Sequence, residues 1–223
     1  VTNAKEKYIT KFWRIIGYEN SNIISIQAES GGSFTVICGT SMFYKFTVKK
    51  GKVLSRKELP SRPADHRDGI AEKYGIPGAG KGVTLPANAG RRWIAQASVE
   101  ASWHDGSFIV GTKDGLLGIV KNGRVFNLGG MGVSGPVRDL CVNPSKTKLW
   151  GVAGGDDDLG MLFTYDDENG LVQIGPVEGK EASPEKIEAC RLNVPCAVAV
   201  SPDEKILAVG SQDFKSAMIE FYF

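Results

Sequence analysis

Residues 196–211 read CAVAVSPDEKILAVGS, which is two short runs of small and branched apolar residues on either side of a polar turn. Each run is too short for a stable helix, but its length and composition suit a buried strand. Ser201, Pro202 and Asp203 favour a tight reversal of the chain. The stretch therefore predicts an antiparallel pair of short, buried strands.

The same alternation of apolar runs and turn residues continues through most of the 223-residue chain. Turn signals such as Lys-Asp-Gly at 113–115 and Lys-Asn-Gly at 121–123 separate about fourteen runs of strand-like composition. Strong helical periodicity is absent from these runs. The pattern predicts an all-β fold, and the candidates are a sandwich, a barrel or a propeller.

A recurring marker favours the propeller. An apolar residue followed by Gly and a small polar residue occurs at 38–40, 110–112 and 209–211, and a related Val-Ala-Gly occurs at 152–154. The glycines of the first and second copies lie 72 residues apart, and those of the second and third copies lie 43 residues apart. The shorter spacing corresponds to a unit of about 45 residues with four strands, which is typical of propeller blades. We therefore predict one β-propeller domain over residues 1–223, with four visible four-stranded blades at roughly 22–60, 91–130, 135–178 and 195–223.

The last predicted blade lacks its outer strand, while residues 8–16 read as a strand with no unit of their own. Because ring closure removes exposed strand edges, we expect residues 8–16 to supply the outer strand of the last blade. Alternatively, the chain is part of a larger ring whose other blades come from another segment or chain.

Two parts of the sequence resemble known propellers. Residues 201–210, SPDEKILAVG, look like the corner between the first two strands of a WD-repeat blade. Residues 139–144, followed by 160–166 and 169–170, resemble blades of streptogramin-lyase-like and kelch-like propellers. The resemblance covers most of residues 22–223 at the level of the blade. It implies the β-propeller superfamily and no specific functional family, and such folds include both binding modules and enzymes.

Composition excludes several classes of protein. With 42% hydrophobic residues and a net charge of +2, the chain is not disordered, and no nucleic-acid or membrane partner is predicted. Its longest apolar runs are four or five residues, too short to span a bilayer, so we expect a soluble protein. No signal-peptide pattern is visible, and the sequence leaves the cellular compartment open.

Charge is distributed unevenly along the chain. Residues 44–92 contain twelve Lys or Arg and four Asp or Glu, whereas residues 153–190 contain ten acidic and two basic residues. Two solvated surfaces of opposite sign would explain this distribution, and so would a bipolar binding face.

The long connections predict where ligands bind. In a propeller, the segments 60–91, 129–136, 154–160 and 175–195 would all emerge at one end, with short turns at the other. Connections concentrated on one face indicate a binding face. The binding candidates on it are Arg62, His66, Arg67, Arg91, Arg138, Asp156, Asp157, Asp158, Arg191 and Asn193.

Some of these candidates suggest specific chemistry. His66 lies between Asp65 and Asp68 in the sequence and could act as a general acid or base or bind a metal, or it could belong to a solvated loop. Arginines just before or inside innermost strands, such as Arg138, could bind a carboxylate or phosphate at the channel mouth or remain solvated.

Aspartate and cysteine residues suggest two further hypotheses, a calcium site and a disulfide. Asp156 and Asp158 could contribute ligands to calcium, although an exposed acidic turn explains them as well; no other cofactor is expected. Cys190 and Cys196 could form a disulfide in an oxidising compartment. Cys38 and Cys141 lie within apolar runs and are expected to be buried.

These observations favour a non-catalytic binding or interaction module whose loop-rich face takes a protein or a small anionic or carbohydrate ligand. The alternative is a bacterial hydrolase or lyase acting on carbohydrates or lactones, with His66 and Arg138 as catalytic candidates. The enzyme hypothesis requires the side chains of His66, Arg138 and an acidic residue to converge within about 5 Å.

Overall fold

The structure is a computed structural model that describes residues 10–14, 23–39, 42–49, 52–70, 97–122, 124–130, 135–154, 160–173, 194–212 and 217–222. Within these residues the chain forms sixteen strands and one 3-10 turn, at Ser30–Gly32. The strands assemble into four antiparallel sheets of four strands each, which confirms the all-β prediction.

The sheets follow one another along the chain. Sheet 1 contains β2 (Ile23–Ala28), β3 (Ser33–Gly39), β4 (Phe43–Lys49) and β5 (Lys52–Leu59). Sheet 2 contains β6 (Ala97–Ser102), β7 (Phe108–Thr112), β8 (Leu116–Lys121) and β9 (Arg124–Gly130). Sheet 3 contains β10 (Val137–Val142), β11 (Lys148–Ala153), β12 (Met161–Asp166) and β13 (Gly170–Gln173). Sheet 4 contains β14 (Val194–Val200), β15 (Leu207–Gln212), β16 (Ala217–Tyr222) and, as its outer strand, β1 (Thr10–Arg14).

Sheet 4 joins the two ends of the described chain. Thr10 lies opposite Tyr222, and Arg14 lies opposite Met218, in an antiparallel ladder. The N-terminal strand therefore occupies the outer position for which the sequence predicted it. This pairing covers the edge that β16 would otherwise expose.

Neighbouring sheets meet mainly through their innermost strands, which lie side by side in the order β2, β14, β10, β6. The sheets accordingly form a row in the order 1, 4, 3, 2, with sheets 1 and 2 at its ends.

Period-2 alternation explains why the middle of the row is so apolar. In β14, Ala197 and Ala199 pack towards sheet 1, whereas Val198 and Val200 pack towards sheet 3. A strand buried on both faces needs apolar residues at every position, which accounts for the unbroken apolar run at 196–200. Burying each such valine contributes roughly 1.5–3 kcal/mol.

Two glycines set how closely neighbouring sheets approach. A Cβ atom added at Gly111 in β7 would lie 2.5 Å from the Cβ atom of Val137 in β10. A Cβ atom added at Gly210 in β15 would lie 2.9 Å from Cδ1 of Ile23 in β2. In both cases the innermost strand of the adjacent sheet packs directly over the glycine, so this part of the repeat is required by packing.

Strand pairing corrects the sequence alignment of the other two copies of the marker. Gly111 pairs with Val99, and Gly210 pairs with Ala197. The equivalent positions in sheets 1 and 3 are Ile37 and Val152, because Ile37 pairs with Ser25 and Val152 pairs with Asp139. The glycines aligned by sequence, at 39 and 154, lie two residues further along. The error arose because a glycine near a strand end looks the same in sequence whether it is needed for packing or for a turn.

Candidate functional site

All four innermost strands carry a β-bulge near their first residues. The bulged residues, which the ladder skips, are Ile24, Ser98, Arg138 and Cys196. A bulge takes one residue out of regular pairing and turns its backbone away from the neighbouring strand. The repeated bulge therefore places backbone carbonyls at one end of adjacent strands without ladder partners.

Arg67 satisfies three of these carbonyls. Its Nη1 donates to the carbonyl oxygens of Arg138, at 3.0 Å, and of Cys196, at 2.9 Å, and its Nη2 donates to the carbonyl oxygen of Ile24. Its Nε and Nη2 also donate to Asp65, at 2.9 and 2.5 Å. A guanidinium has five N–H donors, so all of the donors of Arg67 are used.

Asp65 and Arg67 hold each other in their charged forms. Asp65 is buried, and burial alone would raise the pKa of its carboxyl group; hydrogen bonds from the side chain and backbone of Arg67 outweigh burial and lower that pKa. Burial likewise opposes the charge on Arg67, but the hydrogen bond with Asp65 and the charges of Asp139 and Asp65 raise its pKa. The pair is therefore ionised at neutral pH.

Asp139 connects three parts of the molecule. This residue of β10 is 1% exposed. Its Oδ2 accepts a hydrogen bond from the backbone N–H of Val198 in β14 at 2.9 Å, and its Oδ1 accepts from the N–H of Leu140 at 2.9 Å. His66 Nε2 donates to the same Oδ1 at 2.7 Å. One carboxylate thus joins sheet 3, sheet 4 and the segment after β5.

His66 lies between two carboxylates. In addition to its bond with Asp139, its Nδ1 lies 3.3 Å from Oδ1 of Asp65. The hydrogen bond with Asp139 raises the pKa of His66; burial lowers it, and the charges of Asp139 and Asp65 raise it further. The imidazole side chain is 47% exposed, so it lies at the surface of the cluster. We call Asp65, His66, Arg67 and Asp139 the inner-strand cluster.

The segment that carries three members of this cluster is folded on itself. Asp65 N donates to Oδ2 of Asp68 at 2.9 Å, and Asp68 N donates to the carbonyl oxygen of Asp65 at 2.9 Å. Arg62 forms an ion pair with Asp68 at 3.1 Å. Ile70, 5% exposed, packs with Ala97, Val110 and Val120 on the face of sheet 2 that does not contact sheet 3. Residues 60–70 thus run from sheet 1 across the innermost strands to sheet 2.

Of the predicted site residues, the structure brings His66 and Arg67 into the cluster and leaves the side chain of Arg62 outside it. Arg138 contributes its backbone carbonyl, while its Nε donates to the carbonyl oxygen of Gly154 at 2.8 Å. The other predicted residues lie outside the described residues; these are Arg91, Asp156, Asp157, Asp158, Arg191 and Asn193.

Asp139 and the bulged carbonyls were not predicted from the sequence. A signal for Asp139 exists, since it interrupts the apolar strand Val137–Val142, and a carboxylate in such a strand must be paired when it is buried. The bulged carbonyls of Ile24 and Cys196 have no comparable signal, because backbone geometry and not side-chain identity creates them.

Several connections gather at the end of the sheets where the cluster lies. Gly154 N donates to the carbonyl oxygen of Pro136 at 2.9 Å. Residues 60–70 cross the innermost strands at this same end of the sheets. We call this the loop end. At the opposite, turn end, His104 Nε2 donates to Asp167 at 2.7 Å and Asn143 donates to Glu204 at 3.1 Å.

The described residues include only some of those proposed to bind a metal or to form a disulfide. No group of three potential metal ligands occurs among the described residues, and the candidates Asp156 and Asp158 are not among them. Cys190 also lies outside them, so the disulfide with Cys196 stays a prediction. Cys38 is buried as expected, and burial raises the pKa of its thiol to about 12. Cys141, also expected to be buried, is partly exposed.

Comparison with known proteins does not assign a family. No family model and no curated protein matches the chain. Among solved structures, hydrazine synthase of Kuenenia stuttgartiensis is 11% identical, with a TM-score of 0.41, and the match covers 88% of this chain and 45% of that one. The extracellular domain of a protein described as a one-component system from B. thetaiotaomicron is 13% identical, with a TM-score of 0.41, covering 89% of this chain and 27% of that one.

These similarities are too low to carry an argument about function, and the chain spans less than half the length of either structure. Within the described part of the chain, no helix has the length and apolarity needed to cross a membrane.

Proposed function

We propose that the four sheets are blades of a propeller-like arrangement. Three features support this proposal: four sheets of the same size, innermost strands lying side by side, and a bulge at the same position of every innermost strand. The outer position of β1 in sheet 4 fits the way in which propellers cover a strand edge. Sheets 1 and 2, at the ends of the row, flank the place where a larger ring would accept further blades.

We infer that the protein acts as a non-catalytic binding module at its loop end. The observation that carries this inference is that the inner-strand cluster is internally satisfied. All five donors of Arg67 are occupied, and both ring nitrogens of His66 face carboxylates of the same chain. Groups committed in this way stabilise a structure and have no donor or acceptor left for a reacting substrate.

The geometry weakens the alternative of a hydrolase or lyase. His66 does meet acidic residues, as an enzyme would require, but the side chain of Arg138 donates to the backbone of Gly154. A general base must be able to accept a proton from a substrate. The nitrogens of His66 are instead directed at Asp139 and Asp65, which stabilise its protonated form.

The exposed residues of the loop end suit recognition of a protein. Met42, in the turn between β3 and β4, is 53% exposed, and the side chain of Arg62 is 52% exposed. Methionine adapts its shape to different partners, and arginine is enriched in protein interfaces. A short peptide of mixed apolar and acidic character is therefore the ligand that these residues favour.

Two measurements test the proposal. In the first, nitrophenyl glycosides and simple lactones are incubated with the wild-type protein and with His66→Gln. We expect no hydrolysis that depends on His66. Turnover by the wild-type protein that is lost in a folded His66→Gln variant would establish the enzyme alternative and overturn the proposal.

In the second, the protein is applied to an array of 15-residue peptides, and peptides that bind are re-measured with variants. Met42→Glu should weaken binding at least tenfold. Val172→Glu is the matched control, because Val172 is also an exposed apolar residue, at 43%, but lies in the outer strand of sheet 3. An equal effect of the two substitutions, or no binding peptide, would contradict recognition at the loop end.

A further inference from the structure

The two faces of sheet 1 differ sharply in chemistry. The face towards sheet 4 carries Phe34, Val36, Tyr44, Phe46 and Val48, all buried. The opposite face belongs to the end of the row and has no neighbouring sheet among the described elements. Strand alternation places the remaining residues of β4 and their partners in β5 on this second face.

Four lysines dominate the outer part of this second face. Lys45 lies directly opposite Lys57, and Lys49 lies directly opposite Lys52, in the ladder between β4 and β5. All four are exposed. Like charges directly opposite each other destabilise a sheet. We call Lys45, Lys49, Lys52 and Lys57 the lysine face.

Among the residues that the structure describes, no carboxylate pairs with these lysines. On the inner part of the same face, Glu29 accepts a hydrogen bond from Thr35 at 3.0 Å. Glu58 lies opposite Tyr44 and so belongs to the other face. Within the described part of the chain, the lysine face therefore has four cations and no paired carboxylate.

Strand β5, which carries Lys52 and Lys57, is also an exposed edge of sheet 1. It is the outermost described strand of sheet 1, and every residue from Lys52 to Glu58 is exposed. Its apolar residues Val53 and Leu54 are 50% and 60% exposed. The outer backbone groups of such a strand can pair with an added strand.

We propose that the lysine face and the outer edge of β5 together dock an extended, acidic segment of a partner protein, which adds to sheet 1 as a fifth strand. Because Leu54 is a bulged residue of β5, Lys52, Ser55 and Lys57 lie on the lysine face, whereas Val53 and Arg56 lie on the other face. In an added strand, the residues beside Lys52 and Lys57 lie on the lysine face. Acidic side chains at alternate positions would then come within about 5 Å of the lysines, with uncharged residues between them. This surface is separate from the loop end and goes beyond the function proposed above.

The edge favours a polypeptide over other polyanions. Phosphates of a nucleic acid or of a lipid surface could neutralise lysines, but they cannot satisfy the alternating N–H and C=O groups of a strand edge. Lysines also protect strand edges from aggregation without binding any partner. In that case acidic peptides would not bind, and replacing the lysines would cause self-association.

The test measures binding of two fluorescent octapeptides by anisotropy: one alternates Thr and Glu, and the other has the same composition with its four Glu clustered. We expect the alternating peptide to bind at least tenfold more tightly. The double variant Lys45→Glu/Lys57→Glu should lose at least tenfold in affinity for it. Lys113→Glu/Lys205→Glu is the matched control, since it changes the net charge equally at two exposed lysines outside sheet 1, and it should bind as the wild-type protein does.

A third peptide separates strand addition from simple charge attraction. N-methylation of alternate backbone amides in the Thr-Glu peptide blocks one hydrogen-bonding edge at a time, and methylation on the docking edge should abolish binding. Equal binding of all peptides, absence of binding, or stronger lysine-dependent binding to duplex DNA or phosphatidylserine vesicles would overturn the proposal. Circular dichroism confirms that the variants are folded. Peptide binding at the loop end is tested separately with Met42→Glu, and its result does not depend on whether acidic peptides bind the lysine face.

Discussion

At the scale of the residue, Arg67 solves a problem created by the backbone. Bulges in neighbouring innermost strands turn carbonyl groups out of their ladders, and buried carbonyls without partners are costly. A guanidinium presents five donors in one plane, which is enough to satisfy the carbonyls of Ile24, Arg138 and Cys196 and both oxygens of Asp65. No other side chain could replace all of these contacts.

Replacing Arg67 with Met should therefore destabilise the protein by about 3–5 kcal/mol, because it leaves the buried carboxylate of Asp65 without its partner. The free energy of unfolding is measured by urea denaturation followed by tryptophan fluorescence. Arg62→Met is the matched control from the same segment, since its ion pair with Asp68 is about half exposed and should contribute less than about 1 kcal/mol. Similar losses in the two variants would contradict the assigned role of Arg67.

His66 should make stability depend on pH. Because the pKa of His66 is raised in the folded state, its stabilising contribution is complete below its ordinary value of 6.5 and is lost as the pH rises through the folded value. The side chain is half exposed, so the change should be less than about 1 kcal/mol. Unfolding measured between about pH 6 and 9 should show a steeper decline for the wild-type protein than for His66→Gln. Parallel curves would exclude the contribution of His66.

At the scale of the element, glycine in β7 allows sheet 3 to approach sheet 2. Gly111→Ala would place a methyl group 2.5 Å from the Cβ atom of Val137, and such overpacking costs about 1–3 kcal/mol. The added methyl group would also lie 2.5 Å from Cγ1 of Val137, and Val137→Ala removes this second clash while keeping the Cβ atom. The double variant should therefore be more stable than the sum of the single effects predicts. Thermal unfolding of the four proteins measures this coupling. Strict additivity would mean that the two residues do not contact each other.

Strand prediction succeeded where the residue pattern of a strand follows from which of its faces are buried. The run Cys196–Val200 is apolar at every position because both of its faces are buried, whereas β5 is polar because it lies at an exposed edge. The bulges were not predicted, because no particular residue type marks a bulged position: Ser98 and Ile24 both occupy one. The exact equivalence of the repeats was missed for a different reason, because a glycine near a strand end looks the same in sequence whether packing or a turn requires it.

At the scale of the whole molecule, the two ends of the described chain depend on each other. A chain that begins at residue 15 would lack β1 and expose the edge of β16. We expect it to unfold at a lower temperature and to show faster hydrogen exchange throughout Ala217–Tyr222, because an unprotected edge opens readily. Mass spectrometry of exchanged peptides measures this. Unchanged exchange in β16 would show that β1 does not protect it.

The row of sheets also explains the position of residues 60–70. This segment contacts β2, β10 and β14 through Arg67 and sheet 2 through Ile70, so it links the two ends of the row. The sequence indicated the segment as functional because it is long and rich in charged residues. In the structure, the charges of Asp65, His66 and Arg67 are used mainly to hold the sheets together.

By itself, the sequence determined the strands, their grouping into four sheets and the placement of the N-terminal strand, because these follow from side-chain period, turn residues and the need to cover edges. Only the tertiary structure decided which charges are available to a ligand. Asp139 and His66 are 73 residues apart, and the bulged carbonyls belong to three different sheets, so their contact depends on backbone positions that no local pattern encodes. Side-chain chemistry can be read along a chain, whereas the satisfaction of a buried polar group depends on what the fold brings beside it.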